Sequence, residues 1–405
     1  MTIKSTFDIR HSTIGRKLLA AGAVAIASFW LYHRTLLPGF DFGDTGSFQA
    51  IVGNAIITPR DSYPLYFFLG GIGLRLAGGD PAHLLNLLSA IEAGIACGLM
   101  VLVAVELTSS IGAAMAAALL FATSYTFWSQ SIIAEVYALH AVFVSLTLLL
   151  LLWWAARPSL RRLSVFFLIY ALGFGNHLSM ILLAPGYTVF LMMAAPRGWR
   201  DMVTWRVIVL AAVCASLGAL QYGWNLRSLW LDGTPPVGLW GALRTFWFDV
   251  TKSDWRNTMV MNVPQSMWAD HLAMYWFDLK QQFGLAGPLL AALGAFQLAR
   301  TNLSRAALFS LLYLVNAGFA YSYNVGDTHV FYLPSHFIVA LLAAPGLVCA
   351  GRILVNSTPL LAVLLSIYAG SRAYHDFPAL DRSHDVRPTE VLSALTNGAD
   401  DQHAI

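Results

Sequence analysis

The stretch "LLAAGAVAIASFWLY", residues 18–32, carries no charge and follows Arg10, Arg16 and Lys17. The segment continues through His33 and Arg34 to Leu37. That is longer than the about 7–15 residues of a secretory h-region, so it reads as a retained first membrane helix. Comparable runs recur outward along the chain, including "VLVAVEL" (101–107), "FVSLTLLLLLWW" (143–154) and "VIVLAAVCASLGAL" (207–220). Segments near 20 residues can cross a bilayer as helices, and helices satisfy their own backbone groups there. Of the 405 residues, 58% are hydrophobic and 11% charged, with a mean hydropathy of +0.64. Soluble domains average roughly a quarter charged residues. An all-α, polytopic membrane protein is therefore expected.

The charge pattern excludes some functions and orients the chain. A net charge of +3, with no long basic run, gives nucleic acid nothing to bind. Cys97, Cys214 and Cys349 lie far apart inside apolar segments. Their spacing suits neither a disulfide framework nor a metal knuckle, and they read as small packing residues. Lys and Arg concentrate on the cytoplasmic side of membrane proteins. They cluster here at the N-terminus, at 157–162, 197–206 and 300–305, and at Arg352. Taking these as cytoplasmic places 1–17 inside, a first external loop at 38–63, an amphipathic external stretch at 225–283 and a short external tail at 371–405. The membrane domain then runs over 18–370. Both ends of 63–130 fall outside, which requires an even number of crossings. Of its three apolar stretches, 64–78 is the shortest and carries Arg75, so it is expected to be interfacial or re-entrant. About 11 crossings result.

Most acids, histidines and amides then fall on one face. The first external loop holds "PGFDFGDTGSFQA" (38–50), with Asp41 and Asp44 among glycines and aromatics. Either acid could face a pocket, and Asp44 could equally cap a short helix. Glu135 sits near the outer end of an apolar segment, where an ionisable residue is a functional candidate by default. His140 lies about 140° further round a helix and need not face the same site. Asn176 and His177 occupy an outward turn, "GNH", and Asp327 lies in the aromatic loop "YNVGDTHVFYLP" (323–334). Together these suggest a pocket at the outer surface, a substrate-binding set drawn from distant parts of the chain. The tryptophan-rich 225–283 stretch suits segments lying on the interface, where Arg227, Arg244, Lys252 and Arg256 could meet lipid phosphate or simply snorkel.

"FGDTGSFQ" followed by "YPLYFFLGGI" resembles the opening signature of the protein O-mannosyltransferase-like membrane proteins, a family of bacteria and animals once labelled a domain of unknown function. "YTFWSQSIIAEVYALHAVF", "LGFGNHLSMILLAPG", "YNVGDTHVFYLPSH" and "FPALDRSHDVRPTEVLSAL" resemble later blocks, in order, across residues 35–395. The family is similar to the GT-C glycosyltransferases, integral enzymes that use polyprenyl-phosphate-linked sugars. The resemblance implies a GT-C-like fold with a large first external loop, whose essential acid would be Asp44, with Asp41 as its alternate. Tyr63 and His336, inside matched blocks, join the substrate-binding candidates. Arg60 joins Arg227 and Arg256 as candidate contacts for the donor phosphate. A base beside the acceptor hydroxyl and a cation beside the leaving phosphate fit that chemistry. Two departures stand out. Ser47 replaces the glutamate of the usual Gly-Asp-Ser-Gly-Glu, and Thr58 stands where a histidine often precedes the Tyr-Pro-Leu-Tyr.

The implied activity is sugar transfer, of mannose or another hexose, from a polyprenyl-phosphate donor to a protein, lipid or glycan acceptor. It would invert the anomeric centre, at the external face of a bacterial-type inner membrane. Two acids and histidines on one side permit a divalent cation without demanding one. A flippase for lipid-linked sugar would instead need polar groups deep in the bilayer, for which Glu92 and Glu106 are candidates. Ser47 motivates a third reading, an inactive family member.

Overall fold

The computed structural model describes residues 3–231 and 235–396. The ends of the expected N-terminal segment and C-terminal tail, and 232–234 of the external stretch, lie outside the described residues. Helices form the regular structure throughout; the one extended pairing among the described residues is a bridge between Val260 and Tyr323. In chain order the first seven are α1 (Ile3–Arg34), α2 (Gly43–Ile51), α3 (Pro64–Ala77), α4 (Pro81–Thr108), α5 (Ile111–Ala122), α6 (Tyr125–Ser131) and α7 (Tyr137–Ala156). Next come α8 (Leu160–Gly173), α9 (Ala184–Ala194), α10 (Trp199–Met202), α11 (Trp205–Ala219), α12 (Gly223–Ser228), α13 (Gly238–Val250) and α14 (Ser253–Met259). The last are α15 (Trp268–Phe283), α16 (Ala286–Thr301), α17 (Leu303–Ser322), α18 (Thr328–Phe331), α19 (Leu333–Ile353), α20 (Thr358–Leu380) and α21 (Arg387–Thr396). Small polar residues start many of them, as their side chains accept from otherwise unpaired first-turn amides. Asp80 caps α4, Ser110 α5, Ser159 α8, Asn302 α17 and Ser357 α20.

Six helices are long and apolar enough to cross a membrane, and two bent pairs raise the number to eight. The pairs are α5 with α6, bent by 70°, and Gln265–Phe283 with α16, bent by 94°. The expectation of about 11 crossings is not reached by length and composition. At 14 residues, α8 rises about 21 Å, short of a hydrocarbon core of about 30 Å. The outer third of α20 carries Arg372, His375 and Asp376, which dilute its apolar character. The segment expected to be interfacial or re-entrant is α3, also 14 residues and too short to cross. Gly78 and Gly79, at φ +66° and +88°, turn the chain straight back into α4. An even number of crossings in 63–130 then requires the bent pair α5 and α6 to serve as one span beside α4.

Central and peripheral helices differ in burial. The apolar window of α19 is 89% buried and those of α4 and α7 are 72%, against 17% for the span that begins with α11. Lipid offers no hydrophobic drive for helix association, so close backbone contact matters. On α4, Gly94 and Gly98 sit a turn apart against the Ala25 and Ala21 carbonyls of α1. Gly294 of α16 and Gly346 of α19 likewise abut each other's backbone.

The two ends of the bundle differ chemically. At one, Lys17 pairs with Glu106 at 3.0 Å, and Arg305 donates to the Glu106 carbonyl at 3.0 Å. Two of the basic clusters thus meet, and Glu106 sits at the bundle end rather than deep inside. The acids of the first loop gather at the other end. There the 225–283 stretch folds into α12 to α15, with Trp240, Trp247, Trp276 and Phe277 exposed, as interfacial helices require.

Candidate active site

The first loop is built around one buried amide. Asn86 of α4, fully buried, donates to the carbonyls of Leu37 and Gly39, both at 2.9 Å. Its own oxygen accepts from Gln49 of α2 at 2.9 Å. Gln49 in turn accepts from the Asp41 amide at 3.0 Å, closing the loop on itself. Gly43, at φ +67°, takes the left-handed turn into α2 that L side chains rarely adopt. Asp44 thereby lands in the first turn of α2, exposed, with no hydrogen-bond partner among the described residues. It does not cap the helix: the N-cap is Phe42, and no side chain caps there.

Distant residues converge beside it. Thr45 donates to Glu135 Oε1 at 3.1 Å. The Glu135 backbone exchanges hydrogen bonds with Ser89 at 3.3 and 3.4 Å, which fixes it against α4. Burial pushes the Glu135 carboxyl up to about 8, and the charges of Asp44 and Asp327 add to that rise while Thr45 opposes it. The shift favours the protonated carboxyl near neutral pH, in which form Glu135 can donate a hydrogen bond among the carboxylates. Asp327, exposed, precedes α18, whose Phe331 meets the rings of Tyr137 and Tyr323 edge-on at 6.4 and 4.7 Å.

Aromatic rings form the next wall. Tyr63 stacks on His177 at 6.0 Å and meets Phe48 edge-on at 5.3 Å. Burial raises the Tyr63 phenol, as do the nearby acids Glu135, Asp44 and Asp61. His177 Nδ1 accepts from the Ser179 amide at 3.2 Å, which leaves the ring proton on Nε2. Burial, with His140 and Lys252 nearby, holds His177 down to about 3, so it is neutral. Lys252, in a left-handed turn at φ 44°, lays its ammonium 5.4 Å from the Tyr63 ring and 5.5 Å from Trp255. Burial lowers its pKa, while the charges of Asp44 and Asp61 oppose that shift.

Not every expected residue joins this cluster. Asp41 is buried and ion-paired with Arg382, Nη1 at 2.5 Å from Oδ2, so its carboxylate is already engaged. Asn176 is fully buried and donates to the Val136 carbonyl at 3.0 Å; it braces the turn that carries His177. His336 is fully buried in α19, its Nε2 2.9 Å from Asp278 Oδ2, in a separate polar group with Gln282 and Thr126. Arg60 pairs with Asp254 at 2.7 Å and lies over Trp255 at 4.5 Å, while Arg227 and Arg256 are exposed on α12 and α14. Among the described residues no three His, Cys, Asp or Glu side chains form a metal-binding group. Several contributors carried no distinct sequence signal. Lys252 was one of several loop cations, Thr45 a threonine beside an acid, and Ser179 the partner that joins His177 to His140 at 3.3 Å. His140 does reach this region, one layer beneath His177, with ring centroids 5.5 Å apart.

Comparison with known proteins bears on this arrangement. Residues 44–201 match the family model described as the protein O-mannosyl-transferase TMEM260 N-terminal domain. The resemblance read from the sequence holds over that stretch, which contains Asp44, Glu135 and His177. No curated protein matches the chain in sequence. Among solved structures, ArnT from Cupriavidus metallidurans, bound to undecaprenyl phosphate, aligns with a TM-score of 0.61 at 14% identity. The alignment covers 87% of this chain and 63% of that one. The Archaeoglobus fulgidus oligosaccharyltransferase aligns at 0.60 and 13% identity over 96% of this chain and 58% of its own. AglB from the same organism, with an inhibitory peptide and a dolichol-phosphate, aligns at 0.58 and 14% identity, covering 94% and 58%. The chain thus spans less than two thirds of the length of these neighbours. It is an integral membrane protein with a GT-C-like fold.

Proposed function

We propose that the chain is a membrane glycosyltransferase that moves a sugar from a polyprenyl-phosphate donor to an acceptor at the end of the bundle where Asp44 lies. The observation that carries this reading is the unpaired, exposed carboxylate of Asp44 beside Thr45 and Glu135, with Lys252 over the neighbouring Tyr63 ring. The family match and the lipid-phosphate-bound neighbours support it. In the reaction Asp44 takes the proton of the acceptor hydroxyl as that oxygen bonds the anomeric carbon. The bond from that carbon to the phosphate oxygen breaks, and polyprenyl phosphate leaves with the electron pair. A single displacement of this kind inverts the anomeric centre. Lys252 stabilises the charge growing on the phosphate, and neutral Glu135 and His177 donate hydrogen bonds to sugar hydroxyls. Mannose or another hexose as the sugar, a protein, lipid or glycan as the acceptor, and a periplasmic position in a bacterial inner membrane complete the proposal.

Ser47 does not argue strongly for an inactive protein. Its hydroxyl donates to the Gly43 carbonyl at 3.3 Å on an exposed face, so a glutamate there would have pointed to solvent. The flippase reading retains Glu92, buried in α4 with one oxygen lacking a partner, but not Glu106, which pairs with Lys17 at the bundle end. The test incubates the purified chain with radiolabelled undecaprenyl- and dolichyl-phosphate hexoses, and in parallel reconstitutes it into proteoliposomes with the same lipids. Release of sugar to water or to an added acceptor supports the transferase. Lipid-linked sugar crossing the bilayer without release replaces it with the flippase.

A further inference from the structure

The segment after α20 reaches back to the first loop through one side chain. Arg382 donates bidentately to Asp41, Nη1 to Oδ2 at 2.5 Å and Nη2 to Oδ1 at 3.2 Å. Its backbone amide donates to the Thr35 carbonyl at 3.1 Å, so the segment is anchored on both sides of the Leu36–Phe40 turn. Asp385 accepts from Arg382 Nε at 3.0 Å and Nη2 at 2.7 Å, and from Arg387 Nε at 2.8 Å. The guanidinium is thus held in a fixed orientation by two carboxylates. Arg387 first, and Arg382 after it, keep the Asp385 carboxyl well below the usual carboxylate range.

What Arg382 grips is coupled to α2. The amide of Asp41 donates to Gln49, its Oδ1 accepts from the Phe42 amide at 2.9 Å, and its carbonyl packs against Gly46, where no β-carbon would fit. A shift of Asp41 therefore moves Gly43 and α2 with it, and Asp44, lacking a hydrogen bond of its own, is placed by that backbone alone. We propose that Arg382 is a positioning residue that acts through Asp41 to hold Asp44 at the reacting hydroxyl, so that the post-membrane segment completes the active site. This rests on the reading of Asp44 as the base. It lies outside residues 44–201, over which the family model matches.

Loss of the clamp leaves a carboxylate that is only 8% exposed without its partner. Because a misplacement of about 1 Å costs about 100-fold in rate, Arg382→Gln is expected to lower kcat about 10- to 100-fold. The substrates would be the same polyprenyl-phosphate hexoses, and the donor KM would stay within about twofold. Arg382→Lys should recover part of the loss. Asp41→Asn should match Arg382→Gln, and the double variant should lose little more, since the pair acts as one unit. A disulfide between Gly39→Cys and Thr389→Cys, where a β-carbon at position 39 would lie 3.9 Å from the Thr389 hydroxyl, supplies a readout independent of turnover. It should form readily in the wild-type background, poorly beside Arg382→Gln, and restore kcat where it does form. Wild-type kcat and wild-type crosslinking in Arg382→Gln would overturn the clamp and leave the role of Asp44 untouched. Full turnover in Asp44→Asn, with Arg382→Gln still slow, would sink the base and with it the placement of Asp44 by Arg382, whose effect on rate would then run through another group.

Discussion

Asp41 and Asp44 look equivalent in the sequence, two acids in one glycine-rich loop, and their surroundings separate them. Asp41 is buried against Arg382, while Asp44 is left bare by the left-handed turn at Gly43. Glu135 is the other residue that its surroundings set apart. Its folded pKa of about 8 lies above its ordinary 4.5, so the folded chain holds a proton there that the unfolded chain releases. That contribution to stability is fully present below about 4.5 and is lost as pH rises through about 8. The thermal midpoint should therefore fall over this range in wild type and fall less in Glu135→Gln, as differential scanning fluorimetry in detergent can read. Equal slopes would mean that Glu135 is ionised in the folded protein. Asp44, Glu135, His177 and Asp327 were legible in the sequence because charged and polar groups are scarce in so apolar a chain. Lys252 and Arg382 were not. A cation in an external loop reads the same whether it snorkels or faces a site, and each reaches a partner far away in sequence, Tyr63 for Lys252 and Asp41 for Arg382. Asn176 and His336 looked like site residues because sequence cannot tell a polar side chain lining a pocket from one bracing a turn or paired inside.

Among the elements, the short helices carry the site and the long ones hold it still. α2 depends on the Gln49–Asn86 pair, and Asn86→Leu would strand the Leu37 carbonyl and leave the Gly39 carbonyl with Gln49 as its remaining donor. A loss of about 1–3 kcal/mol is expected for each buried group left unpaired, visible as a lower unfolding midpoint together with reduced turnover. The contact between α16 and α19 is tested at Gly346. Leucine there would collide with the Leu290 carbonyl and force the helices apart, at a cost of about 1–3 kcal/mol, whereas the exposed Gly318 should tolerate alanine. Unchanged stability in Gly346→Leu would contradict the close packing. Apolar runs in the sequence gave away the long helices. The bends that break α5 from α6 and α15 from α16 were hidden, because hydropathy reports what a segment can enter and not where its axis turns.

Across the whole molecule, the bundle sets basic clusters at one end and the acid-lined cluster at the other. This polarity predicts that Ser47→Cys is labelled by a membrane-impermeant thiol reagent from outside intact cells, and Thr301→Cys only after the membrane is opened. The native cysteines are all buried and should not compete. Labelling of both from the same side would overturn the orientation. The separation of a basic end from an acid-lined end follows the placement of Lys and Arg in the sequence. The sequence led to about 11 crossings, whereas length and composition support six to eight, since α8 is short and the last third of α20 carries charge. The claim on which the rest depends is that Asp44 is the base of a sugar transfer. The most direct measurement is the rate of sugar release from radiolabelled polyprenyl-phosphate hexoses by wild type and by Asp44→Asn, with their unfolding midpoints compared. A fall of about 100- to 10,000-fold with an unchanged midpoint is the predicted result. Turnover by the folded Asp44→Asn protein at the wild-type rate would contradict it.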